Sequence, residues 1–182
     1  MPYVDFTATS TTVDAFSGLI NGGSTEFKSS TTGTVRFSGT NLKNFDIKNY
    51  TMKLCFNAKL SSSWSVNNGS VKIHNNGSTS SSWTQTLTIS GTSYKSYSTD
   101  SFTHKSTNHS TAVDIAINVS PPSLGMYLQG AYLRITYTLN TYTITVNSNN
   151  ANGGTVSGSV SGKYKNDVVT ISASPKPGYR FI

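Results

Sequence analysis

The chain has 182 residues, of which 35% are hydrophobic, 11% aromatic and only 12% charged, enough for one full domain and a small second one built around a thin core. Fourteen basic residues against seven acidic ones give a net charge of +7, yet Lys28, Arg36, Lys43, Lys48, Lys53, Lys59 and Lys72 are scattered, so the clustered basic stripe of a nucleic-acid reader is absent and no nucleic-acid partner is expected. The lone Cys55 excludes an internal disulfide framework, and no apolar stretch approaches the length that membrane insertion needs.

Taken in order, the segments are strands. Val35-Arg-Phe37, Met52 to Leu60, Val71-Lys-Ile73, Leu87-Thr-Ile89 and Val113 to Val119 alternate with period two, which gives each one apolar and one polar face. Ser and Thr, roughly three residues in ten, occupy the polar faces. No segment has helical periodicity. Asn21-Gly22, Asn68-Gly69, Asn76-Gly77 and Asn152-Gly153 supply the positive φ angles of tight hairpins. Ser120-Pro-Pro-Ser-Leu-Gly125 cannot continue a central strand and marks a longer connection. Short strands at this spacing indicate an antiparallel all-β sandwich.

Few residues invite chemistry. His104 and His109 flank a polar stretch, and His74 precedes a hairpin; all three read as loop histidines, because a metal site needs more ligands at a recognisable spacing. There is one glutamate, Glu26, and Asp5, Asp14, Asp46, Asp100, Asp114 and Asp167 form no motif. Asp100, Ser101 and His104 include the residue types of a triad, but triads are defined by geometry that adjacency in sequence does not supply. Cys55 falls on the polar face of its strand with Lys53, Asn57 and Lys59, as a partly covered thiol without a neighbouring base. No catalytic residue, metal or cofactor is expected, and the protein reads as non-enzymatic.

Aromatic residues are the better candidates. Trp64 and Trp83 each follow a Ser-rich run, and Tyr94 and Tyr97 sit in a polar segment. Flat rings stack on pyranose faces while Asn, Ser and Thr bond to hydroxyls, so these four are the candidate glycan-binding residues. Parity favours the core for both Trp residues, since Trp83 shares a face with Leu87 and Ile89, and Trp64 with Val66.

Two resemblances follow from particular segments. Asn41 to Leu54 leads into a long strand, and Gly130-Ala-Tyr-Leu-Arg-Ile-Thr-Tyr-Thr138 closes a domain; together they resemble the jelly-roll-like sandwich domains of bacteriophage tail and head-fibre proteins. The closing strand matches well, whereas Ile47-Lys-Asn-Tyr50 replaces the Pro-Gly turn of that pattern. Thr141-Tyr-Thr-Ile-Thr-Val, Asn152-Gly-Gly-Thr-Val-Ser-Gly158, Lys163 to Ser174 and Pro175-Lys-Pro-Gly-Tyr-Arg-Phe-Ile182 resemble internalin B-repeat-like modules of bacterial surface proteins and phage virion proteins.

The resemblances imply a jelly-roll-like sandwich over residues 1–139 and an incomplete repeat module over 140–182. The implied function is that of a virion structural protein on the particle exterior: a head fibre, a capsid decoration or a tail fibre component. It would dock on capsid or tail proteins, attach weakly to bacterial or mucus-type glycans, and assemble as a homo-oligomer, a trimer by analogy with fibre proteins. The opening Met1-Pro-Tyr-Val-Asp-Phe6 carries no export signal, as expected of a protein made in the host cytoplasm and released by lysis. The alternative is a bacterial cell-surface adhesin or carbohydrate-binding module. Because the repeat stops at Phe181-Ile182, it is expected either to continue in further chain or to be completed by a neighbouring chain, since an open strand edge is costly.

Overall fold

The computed structural model describes residues 1–40, 46–64, 67–74, 83–103 and 112–180. They form two compact units, Met1–Asn44 with Asn49–Thr138, and Phe45–Lys48 with Leu139–Ile182. In chain order the strands are β1 Tyr3–Thr7, β2 Ser10–Thr11, β3 Ser24–Phe27, β4 Thr31–Ser38, β5 Ile47–Leu60, β6 Gly69–His74 and β7 Thr84–Ile89. They continue with β8 Lys95–Ser98, β9 Ala112–Ser120, β10 Met126–Leu139, β11 Tyr142–Ile144, β12 Gly154–Ser157, β13 Val160–Lys163 and β14 Ser172–Pro175.

The larger unit is an antiparallel two-sheet sandwich. One sheet runs β1-β10-β5-β8, with β3 sharing the β1 edge of β10; the other runs β2-β4-β9-β6-β7. β5 and β10 are antiparallel, because Ser61 N donates to Gly125 O at one end and Asn140 N to Asp46 O at the other. The expected alternation is what builds the core: Val35 and Phe37 from β4, Ile115 and Ile117 from β9, Ile73 from β6 and Leu54, Leu133 and Ile135 from the first sheet are all buried between the layers. Each such side chain contributes roughly 1.5–3 kcal/mol on leaving water.

β10 keeps its alternation only in two halves. Met126 and Leu128 are buried before Gly130, and Ala131, Leu133 and Ile135 after it, so the inward set passes from even to odd numbers. Gly130 takes φ +58°, the left-handed conformation of a glycine bulge, which inserts one extra residue into a ladder. The bulge lies where β10 changes partner: Met126–Gln129 pair with β3, and Tyr132–Thr136 pair with β1.

Several local expectations are corrected. Residues Asp14–Gly22 form a 3-10 helical segment, with Phe16 and Leu19 fully buried; their spacing of three matches one turn of that helix and was masked by surrounding small and polar residues. Asn21 and Gly22 do have positive φ, 52° and 82°, but they end this segment and join no hairpin. Gly69 opens β6, and it is a glycine for space: a Cβ there would lie 2.5 Å from Met126 Sδ. At Asn152-Gly153 neither residue has positive φ; the turn is held by Asn150, whose Oδ1 accepts from Asn152 N at 3.0 Å and Gly153 N at 3.3 Å. Asn76-Gly77 and Val66 lie outside the described residues.

The smaller unit consists of two two-stranded sheets, β11-β13 and β12-β14. None of its described residues is buried. Asp46 ties its two chain segments together: its carboxylate accepts from Tyr142 Oη at 2.6 Å and Asn140 Nδ2 at 2.8 Å. The Tyr142 bond above all, then Asn140, holds that carboxyl below the ordinary carboxylate range.

Candidate functional site

The polar side of the β1-β10-β5-β8 sheet collects aromatic and charged side chains in two groups, because period-two strands put every second residue there. In the first group, Arg134 donates to both carboxylate oxygens of Asp5, directly opposite it in register, at 2.8 and 2.7 Å. Its guanidinium carbon also lies 4.3 Å from the Tyr3 ring centre and 5.5 Å from that of Tyr132. A planar cation stacked on one ring and pinned by a bidentate carboxylate is a rigid arrangement. The Asp5 bonds raise the Arg134 pKa further above its already high range.

Cys55 and Tyr132 share a hydrogen bond beneath this layer. Burial, only partly opposed by Tyr132 and Arg134, pushes the thiol pKa up, which keeps it protonated and unreactive. Tyr132 is likewise raised, first by burial and then by the Cys55 bond. Cys55 thus lies on the polar face, as its parity requires, but at 7% exposure it is buried rather than partly covered. An open cavity of about 540 Å³ is lined here by Tyr3, Lys53, Cys55, Asn57, Tyr132 and Arg134. Asn57 accepts from Ser96 Oγ at 2.8 Å.

In the second group, Lys59 Nζ lies 4.7 Å from the ring centre of Tyr94 and 5.2 Å from that of Tyr127. Tyr94 Oη meets Ser24 Oγ at 3.0 Å. Tyr127 is paired in register with Glu26 and bonds to its carboxylate; burial first, and then that carboxylate, raises the Tyr127 pKa. The face therefore presents five tyrosine-type or guanidinium planes, from Tyr3, Arg134, Tyr132, Tyr127 and Tyr94, among amide and hydroxyl groups. Such a surface can stack sugar rings and bond to their hydroxyls.

Of the four candidates read from sequence, Tyr94 belongs to this face. Tyr97 is half-buried at the sheet edge, stacked on Phe56 at 5.9 Å, with its hydroxyl accepting from Ser90 N. Trp83 is half-buried with its ring 4.5 Å from Phe102. Trp64 is 85% exposed beyond the end of β5, contrary to the core packing its parity suggested, because the strand has ended and alternation no longer sets its direction. The four are not gathered at one place. Tyr3, Tyr127, Tyr132 and Arg134 were not among the candidates; for the three on β10 the signal lay in their numbers, odd before Gly130 and even after it, once the bulge is known, whereas Tyr3 joins them only through the pairing of β1 with β10.

His74 is 3% exposed, at the end of β6 opposite Ala116, rather than in a surface loop, and its Nδ1 has no hydrogen-bond partner. Burial, reinforced by Lys72, lowers its pKa. His104 and His109 lie outside the described residues, so the Asp100-Ser101-His104 grouping has no described geometry; Asp100 N donates to Gln85 Oε1 at 2.7 Å. Among the described residues no three His, Cys, Asp or Glu side chains are grouped for a metal ion, and no helix is long and apolar enough to cross a membrane.

Comparison with known proteins adds the following. No curated protein matches the chain. The solved structure of TmCBM61 in complex with beta-1,4-galactotriose aligns over 75% of this chain and 89% of that one, with 8% identity and a TM-score of 0.37; likeness at that level speaks to neither ligand nor mechanism. Residues 142–182 match the family described as the divergent InlB B-repeat domain, in agreement with the repeat resemblance of the C-terminal segment.

Proposed function

We propose that the chain is a non-catalytic glycan-binding part of a bacterial surface protein, in which the polar face of the β1-β10-β5-β8 sheet binds sugar and residues 142–182 form a repeat-type extension. The observation that carries this reading is the pair of aromatic groups on one face: Tyr94 and Tyr127 around Lys59, and Tyr3 and Tyr132 around Arg134. Rings held by hydrogen bonds and cation contacts lose little freedom on binding, so more of the stacking energy remains for the ligand. The divergent InlB B-repeat match supports the setting, because the modules that segment resembles include those of bacterial surface proteins.

The virion-exterior reading, with capsid or tail partners and a trimeric assembly, rests on the sequence resemblances and the opening segment, and no contact described above favours it. The surface-module alternative is therefore the conclusion. Its test is affinity electrophoresis and calorimetry of the purified chain against a polysaccharide panel. Tyr94→Ala with Tyr127→Ala is expected to weaken binding at least about tenfold, the loss of roughly 1.4 kcal/mol, in a protein that keeps its circular-dichroism spectrum and a single cooperative melt. Failure of the wild type to bind any polysaccharide, or unchanged binding by the double variant, would overturn the proposal.

A further inference from the structure

The charges on the sugar-facing side do not cancel. Asp5 is committed to Arg134 through two hydrogen bonds, and Glu26 lies 3.6 Å from Lys28 and bonds to Tyr127. That leaves Lys53 and Lys59, on the same side of β5, without an ion pair to any described carboxylate. Six residues of strand separate them by about 20 Å. Both are half-buried rather than freely extended, and the Lys59 ammonium lies over two rings at 4.7 and 5.2 Å. Lys53 lines the same cavity as Tyr3 and Tyr132.

We propose that the ligand of this face is an acidic glycan, one whose sugars bear carboxylate or phosphate groups; the inference rests on the glycan-binding reading above. Each aromatic group then has its own cation. The ring takes the apolar side of a sugar, and the adjacent ammonium meets the acidic substituent. A neutral chain would offer Lys53 and Lys59 only hydroxyl oxygens in exchange for lost water, whereas an acidic chain offers anionic acceptors and so adds ion pairs to the hydrogen bonds. Because the contacts are repeated along β5, a polymer with regularly spaced acids can engage both lysines at once.

The experiment is calorimetry with polygalacturonate, its methyl-esterified form, a phosphomannan and an oligothymidylate, each at about 0.05 M and about 0.5 M salt. Wild type and Lys53→Gln/Lys59→Gln are compared. The expected result is binding of polygalacturonate or phosphomannan at least about tenfold tighter than of the methyl ester, lost at high salt and abolished as a preference in the double variant. Which of the two is preferred assigns carboxylate or phosphate as the source of charge. Equal binding of the methyl ester, still sensitive to Tyr94→Ala, overturns the acidic preference and leaves the glycan reading intact. Binding of no glycan removes both. Tighter binding of the oligothymidylate also overturns the inference, in favour of a nucleic-acid strand stacking on the same rings.

Discussion

Replacing Gly33 with Ala is the sharpest test of how the 3-10 segment docks on the sandwich. Gly33 lies in β4 beneath Phe16, and an added Cβ would stand 2.7 Å from Phe16 Cε2, 2.8 Å from Cδ2 and 3.0 Å from Val13 Cγ2. The backbone itself admits alanine, since Gly33 does not have positive φ, and the less flexible unfolded chain would favour Ala by about 0.4–1 kcal/mol. Phe16 has no room to retreat, because it is fully buried with its ring 5.2 Å from that of Phe27. Overpacking of this kind costs about 1–3 kcal/mol, so a net destabilisation of about 1–2 kcal/mol is expected. Phe16→Ala alone should cost about 3–5 kcal/mol. In the double variant the clash is gone, so the two losses should sum to more than the combined loss by the clash itself, about 1–3 kcal/mol. Urea unfolding followed by tryptophan emission measures this, because Trp83 packs on Phe102 within the sandwich. A Gly33→Ala protein as stable as wild type, or strictly additive losses, would refute the packing argument.

Three other outcomes follow from single side chains. His74 is held below its ordinary pKa of 6.5 by burial and Lys72; the unfolded chain takes up the proton first, so its stabilising contribution is complete above about pH 6.5 and falls away as the pH drops toward the lower folded value, and His74→Gln should flatten that part of a stability–pH curve, whereas an unchanged slope would assign it elsewhere. Tyr142→Phe removes the main cause of the lowered Asp46 pKa, so carboxyl NMR should find the Asp46 midpoint moved up, and no movement would contradict the hydrogen bond. Trp64→Phe should change stability by less than about 0.5 kcal/mol while removing most of the iodide-quenchable emission, since Trp64 is 85% exposed; retained quenching would place the accessible ring at Trp83.

The sandwich was legible because its large apolar residues alternate along the strands: Val35 and Phe37, Val71 and Ile73, and Val113, Ile115, Ile117 and Val119 are buried as period two requires, with the small Ala116 buried as well. The 3-10 segment escaped because only Phe16 and Leu19 mark its buried side, too few to stand out from a run of Ser, Gly and Asn. The turn assignments failed where glycine serves space rather than φ, as at Gly69 beneath Met126, a distinction that depends on a neighbour far away in sequence. The site was only partly legible for a related reason. Tyr94 stood out as an aromatic in polar surroundings, but Tyr3, Tyr127, Tyr132 and Arg134 become one surface only through the pairing of β1 and β3 with β10, and no local pattern encodes that pairing.

The position of β10 also bears on how the chain acquires its structure. It is the last strand of the sandwich in sequence, and yet β1, β3 and β5 all pair with it. During synthesis those three earlier strands have no central neighbour until residues 126–139 have emerged, so the first sheet forms in a late, long-range step. Sheets closed in this way belong to the slow end of folding, about milliseconds to seconds. A nascent or truncated chain ending before Met126 would carry Tyr3 to Thr7 and Ser24 to Phe27 as unpaired edges, open to association with other chains.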